Sequence, residues 1–144
     1  MKKDVSLTDI LYESQDLRMG FAKKIFDDIS GAHTPGEYRL MLILKKLGRA
    51  KLKDIAVFAD EAKPAVCTRL GALERKKYVG RINDMTDRRN VYYYVTPRGE
   101  KYVEKISASI KESVHRILKP LDGKDTKCLI EAYKKINDVL RKVV

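Results

Sequence analysis

The stretch that decides the fold runs from Lys63 to Gly99 and reads KPAVCTRLGALERKKYVGRINDMTDRRNVYYYVTPRG. It predicts a helix that starts around Pro64, because proline fits a first helical turn and apolar residues then recur at helical spacing. Two runs rich in β-branched and aromatic residues follow, and they predict the strands Val79–Asn83 and Val91–Val95. The turn between these strands is polar and carries Asp87-Arg88-Arg89-Asn90. The stretch therefore predicts a helix and a hairpin with arginines at its tip.

Helix signals precede this stretch. Ser6 can cap a first helix that runs to about Ile29. Thr34-Pro35-Gly36-Glu37 has the pattern of a capping box, in which the Thr34 hydroxyl accepts from the Glu37 amide and the Glu37 carboxylate reaches back. The helix that it opens is apolar almost all round and ends at Gly48, so we expect it to be central. Residues 52–59 predict a short third helix.

Two more helices are predicted after the hairpin. Thr96-Pro97 repeats the signal of a cap followed by proline and opens a helix to about Lys119. Asp122 can cap a last helix that runs almost to Val144. The expected order is α-α-α-α-β-β-α-α, which predicts a mainly α fold with a small β-hairpin wing. This order is that of a winged helix-turn-helix, a fold used above all to bind duplex DNA.

The long terminal helices carry apolar stripes that need a partner. Three such helices from one chain make an incomplete bundle, and a second copy could complete it. Each leucine or isoleucine that becomes fully buried would contribute about 1.5–3 kcal/mol. The alternative is a monomer in which all three pack onto their own domain. We expect residues 1–33 and 101–144 to form a helical dimerisation region, and residues 34–100 to form the winged helix-turn-helix lobe.

The chain is basic, and its positive charge is concentrated in the middle. The formal net charge of the 144 residues is +11. Residues 49–101 carry 13 basic and 7 acidic side chains, a net of +6, which exceeds the net charge on either side. This is where the predicted helix and hairpin lie, so an electrostatic footprint for phosphate is expected there. The alternative is a solvated basic surface that only aids solubility.

Several function classes have no support in the sequence. The two cysteines, Cys67 and Cys128, lie too far apart for a metal motif or a disulfide framework. We expect Cys128 to pack in the core or in an interface. No catalytic constellation and no phosphate-binding glycine loop is present, so neither an enzyme nor a cofactor is expected. The N-terminus lacks an apolar signal core and no run approaches a membrane span, which predicts a cytoplasmic protein.

Three motifs fall in an order and spacing typical of one protein family. They are the helix run KPAV…LxxLERK…V…R, the wing DRRN and the exit VTPRGEKY. The chain thereby resembles the MarR (multiple antibiotic resistance regulator) family of bacterial winged-helix repressors. The resemblance covers nearly the whole chain and is strongest from Thr34 to Tyr102. The wing and the exit together are its most specific part.

The resemblance implies a homodimer held by its first and last helices. Two recognition helices would enter successive major grooves of a pseudo-palindromic double-stranded operator, about 34 Å apart, and the wings would reach flanking minor grooves. It also implies a small aromatic anion as inducer, although the sequence itself identifies no ligand. Two positions where the family commonly has glycine carry Asp60 and Lys77 instead, and Ala62 replaces the usual capping Ser or Thr.

Carried onto this chain, the resemblance assigns DNA contacts to the recognition helix and to the wing. Arg89 is the expected minor-groove residue, Asp87 holds its guanidinium by a bidentate pair, and Arg88 serves the phosphates. The helix residues expected at the DNA are Lys63, Pro64, Ala65, Cys67, Thr68 and Arg69.

Two functions from different classes follow. The first is a sequence-specific double-stranded DNA-binding transcriptional regulator, a homodimeric repressor relieved by a small-molecule ligand. The second is a winged-helix module that binds an acidic protein partner through its basic hairpin.

Overall fold

The computed structural model describes residues 6–29, 31 and 34–144. These residues form six helices and one antiparallel hairpin, so the predicted order and fold class are confirmed. Of the predicted dimerisation region, residues 1–5, 30, 32 and 33 lie outside the described residues. The elements are α1 (Leu7–Asp28), α2 (Pro35–Leu47), α3 (Leu52–Ala59), α4 (Lys63–Arg75), β1 (Val79–Asn83), β2 (Val91–Val95), α5 (Pro97–Leu118) and α6 (Gly123–Leu140).

The helix starts follow the predicted caps with one correction. A complete capping box forms at α1, where the Ser6 hydroxyl accepts from the Asp9 amide at 3.2 Å and the Asp9 carboxylate accepts from the Ser6 amide at 3.4 Å. At α2 only half of the predicted box forms, because the Thr34 hydroxyl accepts from the Glu37 amide but the Glu37 carboxylate does not reach back. That carboxylate instead accepts from Lys76 Nζ at 2.8 Å.

The core of the lobe is built around α2. Met41 and Leu44 of α2 are completely buried, as are Val66 and Leu73 of α4 and Ile55 of α3. This confirms the expected central position of α2, and it shows that Val66 and Leu73 lie on the inward face of α4. The same hydrophobic cluster continues into the first turns of α5 through Tyr102, Val103 and Ile106. α5 therefore begins as part of the lobe, and its later turns pack against α1.

The hairpin is fixed to the lobe by its middle residue. The strands pair in the register Val79 with Val95, and Tyr93 is buried to 9 % exposure. Tyr93 also exchanges two backbone hydrogen bonds with Ala50, of 2.8 and 3.1 Å. Of the three consecutive tyrosines, Tyr93 therefore packs against the lobe, whereas Tyr92 and Tyr94 are only partly buried.

Two turns adopt left-handed backbone without glycine. Asp60, between α3 and α4, has φ of 54°, and Lys77, between α4 and β1, has φ of 61°. These are the two positions where the resemblance leads one to expect glycine. The fold keeps the turn geometry there despite a side chain that disfavours it.

The contacts that hold the terminal helices in place include polar ones, unlike the apolar core of the lobe. α1 packs on α5, where the buried Ser113 hydroxyl donates to the Ile25 carbonyl at 3.3 Å and Arg116 pairs with Asp28 at 2.7 Å. The hydrogen bond from Arg116 is the main cause that lowers the pKa of Asp28. α6 buries none of its residues, and Cys128 is exposed, so the expectation that Cys128 packs in the core is wrong for a single chain.

Candidate nucleic-acid interface

α4 presents a narrow outward face. Val66 and Leu70 anchor its inner side at 0 % and 1 % exposure. The Thr68 hydroxyl donates to the Pro64 carbonyl at 3.0 Å and so stays close to the helix. A helix with a small outer face fits the major groove of B-DNA, which is about 12 Å wide. The exposed outer residues are those expected from the sequence: Lys63, Pro64, Ala65, Cys67 and Thr68.

Arg69 is partly exposed but is held by contacts with the lobe itself. Its guanidinium forms an ion pair with Glu61 in the turn before α4, and Glu61 also pairs with Arg39 of α2 at 3.3 Å. The same guanidinium lies against Gly36, where a Cβ would come within 2.9 Å of it. Arg69 thus links α4 to the first turn of α2 and is not available to DNA in the way that its neighbours are.

The tip of the wing is organised by the predicted pair. Arg89 donates from Nε to Asp87 Oδ1 at 3.1 Å and from its terminal nitrogen to Oδ2 at 3.2 Å. The Arg89 side chain is nevertheless 91 % exposed. The Arg88 carbonyl accepts from Asn83 Nδ2 at 2.9 Å, which fixes the turn while the Arg88 side chain stays in solvent.

Hydrogen bonds at this tip stabilise the charged form of two carboxylates. The Arg89 guanidinium, followed by the Arg89 backbone amide, lowers the pKa of Asp87. The amide and then the hydroxyl of Thr86 lower the pKa of Asp84. Both aspartates therefore remain ionised well into mildly acidic solution. The wing keeps its internal pairing over the whole range in which proteins normally bind DNA.

A second group of cations lies beside the wing, and sequence reasoning missed part of it. Lys51, Lys53, Lys63 and Arg89 line one cleft of about 320 Å³, which we call the basic cleft. Lys51 donates to Asn90 Oδ1 at 3.1 Å, so it connects the start of α3 to the turn of the wing. The signal available in the sequence was the pair Lys51 and Lys53 at the start of a helix, but only the fold brings it next to Arg89.

The described residues offer little support for other kinds of site. Within the described ranges no group of three or more His, Cys, Asp or Glu side chains could hold a metal ion. His115 is exposed and lines a groove of about 770 Å³ between α5 and α6. None of the helices in the described part of the chain has the length and apolar content that a bilayer crossing requires.

The sequence is similar to known regulators of transcription. Residues 33–91 match the model of the MarR family. The HTH-type transcriptional regulator FarR of Neisseria gonorrhoeae is 29% identical over 110 residues, which cover 74% of this chain and 75% of that protein.

Solved structures share the fold at low sequence identity. Wild-type MarR from E. coli in its apo form has a TM-score of 0.75 and 14% identity, with 94% of this chain and 98% of that chain covered. The PcaV transcriptional regulator from Streptomyces coelicolor, in complex with its natural ligand, has a TM-score of 0.64 and 14% identity, with 87% and 89% covered. Both likenesses extend well beyond the lobe, into the terminal helices.

Proposed function

Because the chain belongs to the MarR family, we propose that it is a cytoplasmic homodimer that represses transcription by binding a pseudo-palindromic duplex operator. Family membership makes it a regulator of transcription rather than an enzyme. The observation that carries the proposal is that Lys63, at the start of α4, and Arg89, at the tip of the wing, line the same cleft. A duplex that meets α4 therefore also meets the wing.

Each lobe divides the contacts between two grooves. α4 enters the major groove with its exposed face, and Lys63 and Thr68 offer polar groups to base edges and phosphates. Arg89 enters the minor groove, where narrow A·T tracts concentrate negative potential, and Asp87 holds its guanidinium in one orientation. Arg88 neutralises a flanking phosphate. Arg69 would have to leave Glu61 before it reached DNA, so it contributes less than the side chains that are already exposed.

The terminal helices supply the dimer. In one chain α6 buries no residue, and large apolar side chains of α1 and α6 remain exposed. The charges favour a pairing in which α1 of one subunit lies near the α5–α6 groove of the other. From Leu7 to Leu17 the charged residues of α1 are all acidic, whereas four lysines and one acidic residue, Glu131, line the α5–α6 groove. The acidic residues are Asp9, Glu13 and Asp16, and the lysines are Lys111, Lys119, Lys127 and Lys134.

Repression is relieved by a small aromatic anion. A mainly apolar cleft of about 380 Å³ lies between α1, the end of α5 and α6, and Phe21, Tyr133 and Arg18 are among its lining residues. Aromatic side chains can hold a ring, and the arginine can pair with a carboxylate or phenolate. A ligand bound there favours dimers whose lobe spacing no longer matches the operator, since a ligand stabilises the state that it binds better.

The test is a binding titration with two duplexes. One carries the region upstream of the protein's own gene and the other carries the same bases in scrambled order, and fluorescence anisotropy is followed over a salt series. Selective binding, with a log–log slope near −0.9 for each phosphate neutralised, is the expected result. Weak binding that is equal for the upstream and the scrambled duplex, together with no preferred sequence among fragments of the whole genome, would contradict the proposal. It would favour an acidic protein as the partner.

A further inference from the structure

The basic cleft gathers cations from three separate elements. Lys51 precedes α3, Lys53 lies in its first turn, Lys63 begins α4, and Arg89 comes from the wing. The rest of the lining is uncharged and includes Asn90 and Tyr93. Among the described residues no carboxylate lines the cleft, although Asp87 holds Arg89 from outside it. Like charges brought together in this way repel one another, and an anion between them removes that repulsion.

We propose that the basic cleft binds one phosphate group of the DNA backbone and thereby fixes the wing relative to α4. This inference rests on the proposed DNA binding and assigns Lys51 and Lys53 to it. A phosphodiester offers two unesterified oxygens, which accept charge-assisted hydrogen bonds from ammonium and guanidinium groups. A cleft of about 320 Å³ is open enough to admit such a group together with its sugar–phosphate neighbours.

The two lysines at α3 have different parts in this site. Lys51 is oriented by the fold, because it donates to Asn90 Oδ1 at 3.1 Å and its Nζ lies 5.4 Å from the centre of the Tyr92 ring. An ammonium has three donors, so Lys51 can bind Asn90 and a phosphate oxygen together. Lys53 is exposed and forms no ion pair with a described residue. Lys51 positions the wing and the phosphate, and Lys53 contributes charge.

The position of the cleft gives this phosphate a geometric role. It lies between the start of the recognition helix and Arg89, which reach different grooves of the duplex. A backbone group held there sets the distance between the two contacts. Phosphate contacts carry no base information, so the cleft should strengthen binding to every duplex equally.

The experiment measures the salt dependence of binding to a mixed-sequence duplex, so that it does not depend on knowledge of the operator. Lys53→Ala is compared with Lys105→Ala, which removes the same charge from an exposed position on α5 outside the cleft. We expect Lys53→Ala to make the log–log slope shallower by about 0.9 for each bound lobe. Over a fourfold change in salt, that is about a threefold smaller loss of affinity per lobe.

Asn90→Ala separates positioning from charge. It removes the acceptor of Lys51 and leaves all four cations in place. Affinity should fall on both operator and mixed duplexes, while the salt slope stays that of the wild type. A slope that changes with Asn90→Ala as much as with Lys53→Ala would show that the lysines act only through the shape of the wing, and would overturn the assignment.

Three other results are decisive. If the salt slope of Lys53→Ala equalled that of the wild type, or if Lys105→Ala reduced the slope as much as Lys53→Ala, the assignment of the cleft to a phosphate would be wrong. Selective binding to the operator would be unaffected by that result. If wild type bound operator and scrambled duplexes equally but Lys53→Ala still lowered the slope, the regulatory function would fail and the phosphate site would stand. Binding of inorganic phosphate at matched ionic strength, lost in Lys53→Ala without any change of slope on DNA, would assign the cleft to a free anion and overturn the proposal.

Discussion

The lobe and the terminal helices bury their apolar residues to very different extents. In the lobe, Met41, Leu44 and Leu73 are completely buried, and the hydrophobic cluster draws on α2, α3, α4, both strands and the start of α5. In α6 no residue is buried, and Ile136 is 46 % exposed. Both regions nevertheless carry apolar residues at regular helical spacing.

This difference shows that an apolar stripe predicts that a helix face is buried, but it does not predict which surface covers that face. The lobe finds that partner within one chain, so its stability should not depend on protein concentration. The stripe of α6 finds none among the described residues, so whatever stability it provides should depend on a second copy and on concentration. The two regions can therefore be separated by experiment.

The largest effect is expected in the lobe core. Leu73→Ala should lower the free energy of unfolding by about 2–5 kcal/mol, because it removes a completely buried side chain and leaves a cavity. Chemical denaturation at several protein concentrations measures it. The matched variant is Leu140→Ala on α6, where the side chain is 42 % exposed, and its smaller loss should vary with concentration. A concentration-independent loss of equal size in both variants would remove the distinction between the regions.

A charge on the apolar face of α6 should separate the subunits. Ile136→Asp places a carboxylate where the proposed interface is apolar, and an unpaired charge in such a place is strongly unfavourable. We expect the dissociation constant of the dimer to rise about 100-fold or more, equivalent to about 3 kcal/mol. Sedimentation velocity measures it, with Lys135→Ala on the same helix as a control that retains the dimer. An unchanged dimer in Ile136→Asp would place the interface elsewhere.

The wing should affect DNA binding alone. Arg89→Ala removes the exposed guanidinium that Asp87 orients, and we expect operator affinity to fall at least tenfold, about 1.4 kcal/mol, with no change in oligomeric state. Arg88→Ala should cost less, and equally on operator and scrambled duplexes, because it loses only a phosphate contact. Unchanged affinity in Arg89→Ala would rule out its role in the minor groove.

Local signals in the sequence were enough for most of the fold. The strands Val79–Asn83 and Val91–Val95 and the helix Lys63–Arg75 lie where they were predicted, because prolines, caps and β-branched runs act on their immediate neighbours. The bidentate pair of Asp87 and Arg89, which the resemblance implied, is also local, since its partners lie only two positions apart.

Contacts between distant residues could not be predicted in this way. Glu37 was expected to complete a cap, but Lys76 takes its carboxylate across 39 residues. Lys51 reaches Asn90 over the same separation, and this contact brings the basic cleft together. Arg69 looked free in sequence, yet Glu61 and Gly36 hold it against α2. Each of these depends on how the helices pack, which no local pattern encodes.

The smallest effect on stability is expected at the turn between α4 and β1, within the lobe. Lys77 has φ of 61°, which costs a residue with a Cβ about 1–2 kcal/mol, and its backbone carbonyl still accepts from the Thr96 hydroxyl at 2.7 Å. Lys77→Gly should remove that cost and keep the hydrogen bond, and the greater entropy of glycine in the unfolded chain offsets part of the gain. We expect a net stabilisation of up to about 1 kcal/mol by thermal unfolding, the same at every protein concentration. Asp60→Gly is the matched variant and should gain less, because aspartate tolerates the left-handed region better than lysine. A larger gain at Asp60 would mean that the α3–α4 turn, not the α4–β1 turn, holds most of the strain that the lobe carries.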